Sequence, residues 1–170
     1  PISDAARQQI IAASLFGSLG IWQLGRAGEK RAIFAAYALG TTGALQEGLG
    51  GANAGEQRYQ LLRLQGHYDA GRQVLLDNMS HAGRSGYQVL TPFITAGGSV
   101  LVNRGWVPAS GDRGRLPDIE VSDQLRLLTG RIDRLPRPAL RLAADAAVSA
   151  APWPRRLLFP TVAEISTQTG

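Results

Sequence analysis

Hydrophobic and polar positions change rhythm along this chain, from a helical spacing near the start to a strand-like alternation in the body. Residues 10–25 are uncharged and bracketed by Arg7 and Arg26, and the helical pattern runs on through Lys30 and Arg31 to Tyr37. A helix of the uncharged run is roughly 24 Å long, whereas a bilayer core asks for about 20 residues with a lower limit near 17. The pattern predicts a membrane helix, with Gln8, Gln9 and Gln23 at the interfaces and the arginines snorkelling. Trp22 falls where an interfacial aromatic belongs, and the Ala13/Gly17 and Ser14/Ser18 pairs set small residues four apart, allowing another helix to approach. A buried core helix and the apolar region of a secretory signal are the alternatives. No small-x-small cleavage site precedes the charged stretch. Arg26, Lys30 and Arg31 on the far side conflict with a simple positive-inside orientation.

Residues 40–56 are rich in Gly, Ala and Thr and read as a linker. Beyond them, strands are expected over 58–68, 73–78, 87–94, 100–107 and 125–135, each ending near Gly, Pro or Asp-Asn. Residues 70–72 (Ala-Gly-Arg) and 96–98 (Ala-Gly-Gly) are the expected tight hairpin turns. Residues 111–123 read as an exposed loop, and residues 139–151 are alanine-rich but too short and polar to span a membrane. Thr161 and Glu164 have the spacing of a capping box before a short final helix. The expected class is α+β: an N-terminal transmembrane helix, a small mostly antiparallel β domain built as a sandwich or partial barrel, and a short C-terminal helix. The segments are 1–39, the linker 40–56 and a β-rich domain over 57–170. The start at Pro1 and the stop at Gly170, where a helical pattern is ending, read as a piece or processed form of a longer protein.

Composition narrows the chemistry. The 170 residues carry 18 basic and 13 acidic side chains, a net charge of +5, and Lys30 is the only lysine. Such an arginine-based excess raises nucleic acid and anionic lipid as partners. Arg131, Arg134, Arg137, Arg141, Arg155 and Arg156 form the densest basic region, but Pro136 and Pro138 interrupt it and no aromatic stacking platform accompanies it. A solvated face near lipid headgroups fits better than a nucleic-acid surface. Absence of cysteine excludes disulfides, thiolate metal sites and a Cys nucleophile. His67 and His81 have no second base at metal-ligand spacing, so both read as structural or solvated imidazoles. Ser80, Ser85, Ser99 and Ser110 lie near turns without a nucleophile elbow. The glycine runs at 48–55 and 97–98 lack a phosphate-cradling frame, and Asp112, Asp118, Glu120 and Asp123 read as solvated loop carboxylates.

Several blocks together carry a resemblance. Gly20-Ile21-Trp22-Gln23-Leu24-Gly25-Arg26, Gln65-Gly66-His67-Tyr68-Asp69, Val74-Leu75-Leu76-Asp77-Asn78, Gly86-Tyr87 through Pro92, and Val100 through Asn103-Arg104-Gly105-Trp106 to Pro108 resemble, in order, the motifs of the surfeit locus protein 1 family. Trp153-Pro154 is similar to a family position before the domain's last helix. Where the family has Asp-Asn-Arg, this chain has Asp77-Asn78-Met79. The resemblance implies a non-enzymatic assembly factor for cytochrome c oxidase, with two membrane helices flanking a β domain on the periplasmic side of the bacterial inner membrane. It implies haem a handling in the full-length protein; the family's second membrane helix, with its proposed haem-binding histidine, has no counterpart here, so no cofactor is assigned to residues 1–170. Implied partners are cytochrome c oxidase subunit I or haem a synthase, and the lipid bilayer, with no nucleic acid. The candidate partner or ligand positions are Trp22, Gln23, Arg26, Gly66, Asp77, Asn78, Gly86, Tyr87, Pro92, Asn103, Arg104, Gly105 and Trp106. Arg104 offers a planar double donor for a haem propionate or a partner carboxylate. The alternative is that Asn103 and Gly105 shape a turn while Trp106 fills the core. A membrane-anchored enzyme of unrecognised activity and an arginine-rich nucleic-acid-binding domain are the competing functions.

Overall fold

The structure, a computed structural model, describes residues 3–51, 57–112, 114–136 and 152–169. The alanine-rich stretch and Arg137 and Arg141 lie outside these residues. The chain forms two compact units, Pro1–Ala44 and Leu45–Gly170.

The first unit is one helix, α1 (Asp4–Thr42), 39 residues long. Asp4 in its first turn complements the positive end of the helix dipole. At about 100° per residue, Leu15, Phe16, Leu19, Ile21, Leu24, Phe34 and Leu39 spread around the whole circumference, and all are exposed. The expected membrane-spanning helix is corrected here: no helix among the described residues is long and apolar enough to cross a membrane. The reason lies in composition rather than length. Gln, Ser and Gly dilute the uncharged run, and Arg26, Glu29, Lys30 and Arg31 follow within the same helix.

The second unit contains seven strands in one sheet: β1 (Gln46–Glu47), β2 (Leu61–Tyr68), β3 (Val74–His81), β4 (Arg84–Thr95), β5 (Gly98–Pro108), β6 (Arg126–Arg131) and β7 (Arg155–Leu157). Helix α2 (Val162–Thr169) ends it. The α+β expectation holds. The sheet is mixed rather than purely antiparallel, because β1 joins β2 and β7 joins β3 in parallel. Part of the expected linker belongs to regular structure, since α1 extends to Thr42 and β1 lies at 46–47.

Strand β4 organises the sheet. On one side its residues from Gly86 to Thr95 pair with β5, and on the other it pairs first with β3 and then with β2. The expected hairpin at 70–72 is therefore a turn between strands that do not pair with each other; both add to β4. Pro92 sits where β4 changes partner, between Leu90 opposite Val74 and Phe93 opposite Tyr68. A residue without an N–H costs no ladder bond at such a gap. The true hairpins are β3–β4, closed at Ala82-Gly83 with both residues at positive φ, and β4–β5.

Alternation fixes the core. In β2, Leu62, Leu64, Gly66 and Tyr68 point inward and Gln65 and His67 outward. Three apolar clusters result: Val74, Leu76, Leu90 and Leu157 with Ile165 of α2; Leu62, Leu64, Tyr68 and Phe93; and Leu75, Tyr87 and Val89 with Ile119. Ile119 corrects the reading of 111–123 as a wholly exposed loop. The capping box forms as expected: the Glu164 amide donates to Thr161 Oγ1 at 3.2 Å and the Thr161 amide to Glu164 Oε2 at 2.5 Å.

Candidate functional site

Most candidate positions gather on the β3–β4–β5 region, where two β-bulges put extra residues into the ladder. In β5 the register steps from Leu90 opposite Asn103 to Val89 opposite Gly105, so Arg104 is the inserted residue. A bulge re-aims the side chain it inserts. Gly105 accommodates it with φ +120°, a conformation that side-chain-bearing residues rarely adopt. Asn103 closes the kink, its Oδ1 accepting from the Gly105 amide at 3.0 Å and its Nδ2 donating to Gln88 Oε1 at 3.3 Å. Asn103 and Gly105 thus shape the backbone as a bulge within a strand, not as a terminal turn. In β3, Asp77 and Asn78 are the doubled residues between Leu76 opposite Gln88 and Met79 opposite Gly86. Asn78 has φ +60°, and its amide donates to Asp77 Oδ1 at 2.6 Å.

The redirected Arg104 guanidinium donates from Nη1 to Gln73 Oε1 at 2.7 Å and to the Ile119 carbonyl at 2.8 Å, and from Nη2 to the Glu120 carbonyl at 3.0 Å. Its Cζ lies 5.7 Å from the Tyr68 ring centroid. Gln73 Oε1 also accepts from the buried Thr91 hydroxyl at 3.0 Å, and Gln73 Nε2 donates to the Ala70 carbonyl at 3.1 Å. One side chain of β5 therefore ties the end of β2, the turn before β3, β4 and the 119–120 loop together. All its acceptors are neutral, and no carboxylate among the described residues forms an ion pair with it. Neither Gln73 nor Thr91 was predicted as a site residue; only a buried amide and hydroxyl within an apolar strand pattern could have hinted at them.

Trp106 is half-buried, not fully within the core. Its Nε1 donates to the Met79 carbonyl at 2.8 Å, and its ring lies 5.3 Å from the His81 ring. His81 ends β3 and is exposed, rather than standing in a loop. A Cβ on Gly86 would fall 2.5 Å from the Trp106 ring and 2.3 Å from the Val107 carbonyl oxygen, so only glycine fits beneath the indole. Gly66 has the same function between β2 and β4, where a Cβ would sit 2.0 Å from the Ile94 carbonyl oxygen. Tyr87 is fully buried, and its hydroxyl has no hydrogen-bond partner among the described residues. Trp22, Gln23 and Arg26 belong to α1, where the Arg26 guanidinium stands 5.4 Å from the Trp22 ring one helical turn away.

Among the described residues no group of three His, Cys, Asp or Glu side chains could hold a metal ion. Asp112 and Asp118 spend an oxygen each on nearby backbone amides, those of Gly114 at 2.8 Å and Glu120 at 3.0 Å. These are turn contacts. The arrangement is a set of bulges, close strand contacts and a cation held by oxygen acceptors of the domain itself.

The family model described as the SURF1 family matches residues 10–170, covering the helix and the β domain alike. The chain belongs to the SURF1 family, whose general function is cytochrome c oxidase assembly rather than catalysis. A search of curated proteins returned no match.

Proposed function

We propose that this protein assists the biogenesis of cytochrome c oxidase by binding, either delivering haem a to the oxidase or stabilising an assembly intermediate. The observation that carries the reading is the family match across residues 10–170. The proposed partners are cytochrome c oxidase subunit I or haem a synthase, contacted by the bulged face that presents Asn78, Asn103, Gly105 and Trp106. The proposed location is the bacterial inner membrane, with the β domain on its periplasmic side. Exposed Leu15, Phe16, Leu19, Ile21, Leu24 and Phe34 on α1 support attachment of that helix to an apolar surface.

The test is purification, in detergent, of the protein expressed from its complete gene in cells that make haem a. Co-purification of oxidase subunit I or haem a synthase, or a stoichiometric haem a spectrum, is the expected result. A preparation with neither haem nor oxidase-related proteins contradicts the proposal.

A further inference from the structure

Strands β5 and β6 are both outer strands: among the described residues β5 pairs only with β4 and β6 only with β2. Between them lies a half-open groove of about 620 Å³. That size falls within the roughly 300–1,000 Å³ of small-molecule sites. Its walls are aliphatic, with Leu64 of β2, Val100 and Val102 of β5, and Leu128 of β6.

The polar lining is one-sided. Arg104, Arg126 and Arg131 all line the groove, and among the described residues no Asp or Glu does. The Arg126 guanidinium lies 5.2 Å from the Tyr68 ring centroid and that of Arg104 lies 5.7 Å from it, so the two cations share one aromatic ring. Neither Arg104 nor Arg126 has a carboxylate partner among the described residues. Arg126 Nη2 donates to the Ser122 carbonyl at 3.2 Å, but its Nε is buried with no acceptor among the described residues. A buried N–H on a charged group, left without an acceptor, is costly unless something supplies one. A pair of cations beside an aliphatic trough is complementary to an anion bearing an aliphatic tail.

We infer that this groove binds a single-chain amphiphile ending in a carboxylate, with the carboxylate beside Arg126 and Arg104 and the acyl chain along Leu64, Val102 and Leu128. Among the described residues the lining contains no His, Met or Cys, and Tyr68 is its only aromatic residue. These features suit an acyl chain better than a flat macrocycle or a metal-bearing ligand. The carboxylate gives Arg126 Nε its acceptor and reduces the repulsion between the two guanidinium groups. The inference stands on the groove alone and is independent of the oxidase reading.

The test is photolabelling of the full protein, in membranes from the expressing cell, with a diazirine-bearing fatty acid, followed by mass-spectrometric mapping. Label is expected within residues 62–68, 100–104 and 126–132, competed by unlabelled fatty acid and not by its methyl ester. Arg126→Gln, normalised to protein abundance, should lower groove labelling about tenfold, the effect of losing one charge-assisted hydrogen bond. Leu128→Glu should abolish it by placing a like charge in the trough. Label confined to α1, equal competition by acid and ester, or groove labelling unchanged in both variants would overturn the inference.

Discussion

Arg104 is fixed by the oxygens of Gln73, Ile119 and Glu120, and its planar fork reaches all three because the bulge turns it inward. Hydrogen bonds to a charged donor contribute about 1.5–3 kcal/mol each when well formed. Replacement by alanine also leaves the buried Gln73 and Ile119 acceptors short of a donor. Arg104→Ala is therefore expected to lower unfolding free energy by about 3 kcal/mol, and Arg104→Lys to recover little, since a point ammonium cannot satisfy a fork of acceptors. Denaturant titration of both variants checks this, and a lysine variant as stable as the parent would contradict it. At Gly86 the neighbour is an indole ring and a backbone carbonyl, neither of which can withdraw freely. Gly86→Ala should cost about 1–3 kcal/mol by overpacking and shift the Trp106 fluorescence. Tyr87 runs the other way. Its hydroxyl is buried without a partner among the described residues, so Tyr87→Phe should leave stability unchanged or raise it by about 1 kcal/mol. A melting temperature that falls in Tyr87→Phe would show that the hydroxyl is satisfied after all.

At the level of elements, α2 shows local chemistry acting as its sequence suggests. Thr161 and Glu164 exchange backbone hydrogen bonds and hold Ile165 against Val74, Leu76, Leu90 and Leu157. Thr161→Ala should cost about 1 kcal/mol, measurable as a small loss of melting temperature, whereas Thr161→Ser should not. The strands around the core were legible because β2 and β4 alternate or run apolar between glycine and proline. The polar ends were not. Met79, Ser80 and His81 continue β3 with no apolar period, so the Ala82-Gly83 hairpin was missed although its glycine was visible. Strand β7 is Arg155-Arg156-Leu157, whose arginines gave no strand signal; it forms because β3 offers a parallel edge. The turn at 70–72 was visible as a turn but not as a connection between non-neighbours, since turn chemistry does not specify strand partners. The bulge at Arg104 was equally hidden, because a one-residue slip exists only relative to the facing strand.

For the whole molecule, the helix and the β domain are two units, and the family match spans both. The candidate residues of the β domain divide by role. Gly66 and Gly86 permit close strand contacts, Gly105 takes up the positive φ of the bulge, Arg104 ties segments together, and Asn103 and Asn78 lie exposed at the two bulges with Trp106 half-buried. The motif that carried the family resemblance thus consists in good part of residues that build the domain, which is why sequence alone identified the family better than the binding chemistry. The most direct test of the account is deletion of the gene, with complementation by the intact gene. Haem a absorbance and cytochrome c oxidase activity in membranes are predicted to fall, with succinate dehydrogenase activity unchanged, and to return on complementation. Oxidase levels and haem a content equal to those of the parent strain would contradict the assignment to oxidase assembly.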